Sequence, residues 1–166
     1  MKKTKKSTSE IIASVIAIVF GALMILPFFI SVISMSSTVL GGELTSYTIF
    51  TLGDIVSASG NDITAFATVI EIFALIAIIS SLAMVVLELL KLIGINFPRM
   101  LRALLAGIAV IASIATFVML IILASSSSAD NDIISKAAKY VVSAGGYLLL
   151  VFGIIGGTAG IIANRK

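Results

Sequence analysis

Four stretches of the chain, residues 11–35, 63–90, 103–124 and 141–163, are each as long and as apolar as a bilayer-spanning helix requires. A helix rising 1.5 Å per residue needs about 20 apolar residues to cross a hydrocarbon core of about 30 Å. Inside that core the backbone has no water to bond, so a lone apolar stretch must satisfy its own N–H and C=O groups as a helix. Composition agrees, with 60% of 166 residues hydrophobic and 11% charged, far from a soluble domain. The expected fold is all-α: one four-helix transmembrane bundle over residues 1–166, with a long first outer segment at 36–62 and a shorter second one at 125–140.

Basic residues set the expected orientation, because cytoplasmic flanks carry the Lys/Arg excess. Lys2, Lys3, Lys5, Lys6, Lys91, Arg99, Arg102, Arg165 and Lys166 fall on one side of such a bundle, and only Lys136 and Lys139 on the other. Both termini are therefore predicted to be cytoplasmic, in a multi-pass protein of the cell membrane. This asymmetry accounts for the net charge of +3, so the expected partners are the lipid bilayer and another membrane protein, with no nucleic acid. The first apolar run is longer than the 7 to 15 residues of a secretory signal, and no cleavage is expected.

Chemistry is constrained by what is missing. The chain has no Cys and no His, which removes thiolate nucleophiles, disulfides, the commonest general base and the commonest metal ligands. No spacing of carboxylates, hydroxyls and lysines points to catalysis. No enzyme activity, metal or cofactor is expected.

Helix ends and helix contacts can be read from particular residues. Asn61 and Asp62 before the second span, and Asp130, Asn131 and Asp132 before "IISKAAKYVV", are N-cap residue types. Gly94 is a C-terminal stop and Pro98 suits a first helical turn, making spans two and three an antiparallel hairpin. Pro27 removes a hydrogen bond to the Leu23 carbonyl and should bend or end the first helix. Small residues mark close backbone approach: Ala13, Ala17 and Gly21 in the first span, and Gly153 with Gly157 and Gly156 with Gly160 in the fourth, two overlapping GxxxG patterns. Ala106, Ala109, Ser113 and Thr116 form a weaker face of the same kind. Leu149 reads as a lipid-facing side chain.

Two carboxylates, Glu71 and Glu88, lie within the second span and are the candidate intramembrane polar residues. The 16 residues between them cover about 24 Å, so both cannot lie comfortably outside a core of about 30 Å. Their azimuths differ by about 100°, which excludes a dyad. Glu88 has Lys91 three residues on, a same-face pair, with Arg102 a further partner. Glu71 shares a stripe with Thr64 and Thr68 and is the stronger functional candidate, with Tyr147 or Lys139 as partners by depth; an intramembrane acid is a functional hypothesis by default.

The first outer segment, including "GGELTSYTIFTLGDIVSASGND", has no basic residue and several apolar ones. Its poor alternation favours a short interfacial helix over a strand, serving as a cap on the bundle. Four spans, a long first outer segment, a short inner link and a shorter second outer segment are similar in layout to claudin-like proteins, without the Trp and the Cys pair of claudins. Pro27-Phe28-Phe29 with "TSYTIFTLG" also resembles small four-helix membrane proteins of bacteria, a likeness that implies no activity. The expected role is that of a structural or accessory subunit of a membrane complex. The alternatives are a small transporter or channel component and a toxin-immunity-type membrane protein.

Overall fold

The computed structural model describes residues 8–37, 43–52, 61–95, 97–126 and 138–165. Four long helices dominate it: α1 (Thr8–Leu23), α2 (Asn61–Ile93), α3 (Arg99–Ser126) and α4 (Ala144–Ala163). Each, α1 together with the turn that follows it, is long and apolar enough to cross a membrane. The protein is accordingly a multi-pass integral membrane protein built as a four-helix bundle. Most contact is made between α2 and α3, α3 and α4, and α4 and α1; α1 and α2 touch less, and α2 meets α4 only slightly across the centre.

The first helix is shorter than the apolar run that encodes it. Regular hydrogen bonding stops at Leu23, the residue whose carbonyl Pro27 cannot serve. The chain tightens into a 3-10 turn, Leu26–Phe28, and by Ile33 it is a strand. Residues 24–35 are thus not part of a helix extending to Met35, although they are as apolar as one.

The long segment after the first helix, expected to carry a short interfacial helix, instead supplies strands. Strands β1 (Ile33–Ser37), β2 (Glu43–Tyr47) and β3 (Ala138–Val142) form an antiparallel sheet in the order β2-β1-β3. Ile33 faces Tyr47 on one side and Val142 on the other, and Met35 faces Thr45 and Tyr140. β3 takes Val141 and Val142 out of the expected fourth helix, which begins after Ser143 in extended conformation. Backbone bonds weld sheet to bundle: Ser143 N–H donates to the Val32 carbonyl at 2.8 Å, Gly145 N–H to the Ser31 carbonyl at 2.9 Å, and Val32 N–H to the Tyr47 carbonyl at 2.8 Å. The sheet therefore closes one end of the bundle, with Ile33 and Val142 buried against it.

At the other end, α2 stops where Gly94 adopts φ +103. Gly94 N–H donates to the Lys91 carbonyl and Ile95 N–H to the Leu90 carbonyl, the paired bonds of a Schellman stop, for which Gly has no Cβ penalty. Leu101 N–H then bonds the Pro98 carbonyl as α3 starts. The Asn61 and Asp62 side chains and residues 130–132 lie outside what the structure describes.

Candidate functional site

The interior is mostly apolar. Ala67, Ala74, Ala77, Ala109 and Ala112 are buried among larger aliphatic side chains, and three buried hydroxyls bond helix backbones. Ser113 donates to the Ala109 carbonyl at 2.7 Å, Thr116 to the Ala112 carbonyl at 2.8 Å, and Ser81 across to the Gly21 carbonyl at 3.3 Å. Such bonds satisfy the hydroxyl without opening a polar route.

The small residues sit where helices come closest. A Cβ added to Gly153 would collide with Ser113, and one added to Gly157 would lie 2.8 Å from the Ala106 carbonyl oxygen, so this pair faces α3. A Cβ added to Gly156 would lie 3.1 Å from the Gly21 nitrogen of α1, and one added to Gly160 would meet Met84 of α2 and Ala106 of α3. The two registers thus serve different neighbours. Ala13, Ala17 and Gly21 are buried on α1, and the Ser81 bond brings α2 against Gly21. Leu149 is fully buried, not lipid-facing, because α4 is enclosed on several sides by α1, α3 and the sheet end.

Against this background one polar cluster stands apart, at the end opposite the sheet. Glu88 is fully buried, and its carboxylate is the hub. Ser14 of α1 donates to Oε2 at 2.8 Å, and Asn164, just past α4, donates to Oε1 at 2.6 Å. Lys91 Nζ lies 3.4 Å from Oε2 and Arg102 Nε, from α3, 4.0 Å from Oε1. All four helices therefore converge on one carboxylate. Lys91 Nζ also donates to the Ala163 carbonyl at 3.0 Å and to Ser14 Oγ at 3.4 Å, while Asn164 Nδ2 reaches the Gly160 carbonyl at 2.8 Å.

Local sequence places each member. Lys91 is one turn past Glu88, so the pair shares a face of α2, and its ammonium sits near the end of α4, where free carbonyls attract cations. Arg102 lies in the first turn of α3, brought beside α2 by the short Gly94–Pro98 link. The Glu88 pairing with Lys91 and Arg102 follows from spacing. Ser14 and Asn164 carry no such signal, because only the packing of α1 and α4 brings them to Glu88.

Among the described residues Glu88, Lys91 and Arg102 are the only buried charged side chains. One carboxylate between two cations leaves the cluster with an excess positive charge. Among the described residues, Arg102 Nε and Nη1 and Asn164 Oδ1 are buried without a hydrogen-bond partner. The cluster can clamp helices and offer donors to an anion.

Glu71 lies about 26 Å along α2 from Glu88, half-buried, and no hydrogen bond or ion pair reaches it among the described residues. Tyr147 packs its ring on Phe117 at 5.2 Å and is otherwise exposed; the side chains of Thr64 and Lys139 are outside the described residues. The structure thus places the two glutamates at opposite ends, and gathers polar partners around Glu88. Nor do three His, Cys, Asp or Glu side chains come together anywhere among the described residues.

A second candidate feature is a cavity of about 440 Å³ between the start of α1 and the end of α4, lined by Ser9, Glu10, Ile162 and Arg165. Its lining mixes both signs of charge and offers no convergent donor set. No family model matches the chain, and neither a curated protein nor a solved structure shows significant similarity to it.

Proposed function

We propose that this protein is a structural or accessory subunit of a membrane complex in the cell membrane, with both termini cytoplasmic, and not a catalyst. The observation that carries this reading is the fate of the buried polar groups. Ser81, Ser113 and Thr116 are spent on helix carbonyls, and the buried charges gather around Glu88 at a single end. A carrier needs polar groups free along its translocation path; here the Ser81, Ser113 and Thr116 hydroxyls in the middle of the bundle are bonded to helix carbonyls, among alanine, glycine and larger apolar side chains. The sheet adds a hydrogen-bonded platform at the other end, suited to contact with a partner protein.

The transporter reading is supported by one observation, the Glu88 cluster itself, since ionisable side chains inside membranes commonly mark ion paths. Reconstitution separates the two. Sealed vesicles containing the purified protein and an interior pH or ion indicator should show no protein-dependent flux, and mild-detergent purification should return a membrane partner in fixed stoichiometry. Flux that Glu88→Gln abolishes would replace the accessory role with the transport one.

A further inference from the structure

The corner between α2 and α3 combines three features that no helix clamp requires. First, Arg102 is 2% exposed, yet its Nε and Nη1 have no hydrogen-bond partner among the described residues, and the carboxylate beside it, Glu88, stands 4.0 Å away and is already held by Ser14, Asn164 and Lys91. Buried guanidinium donors left bare are costly, and structures normally supply them with an acceptor. Second, Arg102 projects from the first turn of the 28-residue α3, whose leading N–H groups and dipole favour an anion. Arg99, on the same side of the helix one turn earlier, adds an exposed cation. Third, the link is ringed by apolar side chains turned outward: Ile93 at 78% exposed, Met100 at 79%, with Ile95 and Phe97 between them. In a membrane protein, such residues at a helix end belong in the interfacial layer, which puts the guanidinium at the depth of lipid phosphates.

We propose that this corner binds a phosphate oxyanion, with Arg102 and the first turn of α3 as its principal donors, Arg99 as an outer cation, and Lys91 offsetting the repulsion of Glu88. The excess positive charge of the cluster supplies the attraction, and basic pockets between membrane helices hold headgroups in this manner. The apolar ring favours a phosphate carried on a lipid; free phosphate offers the same oxygens without acyl chains to lie against Ile93 and Met100.

Direct binding tests this. The full chain, purified in mild detergent, is loaded with phosphatidylglycerol or with diacylglycerol, which has the same acyl chains and no phosphate, and retained lipid is counted by native mass spectrometry, with inorganic phosphate as a separate additive. The parent should retain the anionic lipid about tenfold better, the worth of one charge-assisted hydrogen bond, and Arg102→Gln should remove that preference. Arg99→Gln, at an exposed position, should weaken it about two- to threefold without affecting folding. Arg102→Lys keeps the charge but loses the fork, and serves if Arg102→Gln does not fold; it should fall between parent and Arg99→Gln/Arg102→Lys. If inorganic phosphate competes the lipid away, the oxyanion site stands with a soluble source as an additional occupant. Equal retention of both lipids by the parent, or an anionic preference that survives Arg99→Gln combined with Arg102→Lys, overturns the proposal.

Discussion

The two ends of the bundle are closed by opposite means. At the sheet end, strands from segments about a hundred residues apart are joined by backbone hydrogen bonds, and side-chain polarity matters little. At the other end, one buried carboxylate holds four helices through side chains alone. Backbone ladders are cooperative and tolerant of substitution, whereas a buried charge network fails when one member is removed. The ends should therefore differ in how they respond to point changes.

Removing the hub has the largest expected effect. Glu88→Leu strands Lys91 and Arg102 as buried cations and should cost about 3–5 kcal/mol, read as loss of thermal stability in detergent. A wild-type melting profile for this variant would mean that water or detergent reaches the cluster and that the two ends do not differ.

Core truncation comes next. Leu149→Ala, in the fully buried layer of α4, should cost about 2–5 kcal/mol through cavity formation. Gly157→Ala should cost about 1–3 kcal/mol, because its Cβ would meet the Ala106 carbonyl oxygen and the Val110 side chain. Both changes lie between the two ends and should lower overall stability without shifting hydrogen exchange from one end to the other. Exchange that opened selectively at the sheet would show that α4 is coupled to it more tightly than to α3.

The smallest effect concerns the sheet. Burial pushes the Tyr140 hydroxyl above its usual range, helped by the charge of Tyr47 and a hydrogen bond with it. The fold thus favours neutral Tyr140. Its contribution is complete below the unfolded-state value of about 10 and is lost as pH rises past that towards the folded-state value. Tyr140→Phe should remove this alkaline loss at a cost of about 1 kcal/mol at neutral pH; an unchanged alkaline limb would place the titration elsewhere.

How legible these features were in the sequence depends on the range of the interactions that form them. The four spans follow from length and hydropathy, the α2 stop from Gly94, and the α1 end from Pro27, all signals within one turn of chain. The Glu88 pairing with Lys91 is likewise a three-residue spacing. The sheet was illegible because "ISMSS" and "ELTSY" lack clean alternation and β3 lies within an apolar run that also reads as helix. Its strands exist because β1 finds partners on both sides, one of them across most of the chain. The burial of Leu149 is illegible for a related reason: α4 is apolar on every face, so hydropathy cannot say which face meets lipid. Sequence weighting of Glu71 over Glu88 rested on a polar stripe along one helix, whereas the observed cluster draws one group each from α1, α3 and the end of α4.

A mutant cycle on the hub measures most directly whether the carboxylate binds the four helices as one unit. Thermal or denaturant unfolding in a single detergent would compare Glu88→Leu, Lys91→Met with Arg102→Met, and all three changes together. The triple variant should recover most of the stability lost by Glu88→Leu alone, with a coupling of about 0.5–3 kcal/mol or more, because no buried charge is left unpaired. Losses that simply add would contradict a buried, mutually dependent network at this end of the bundle.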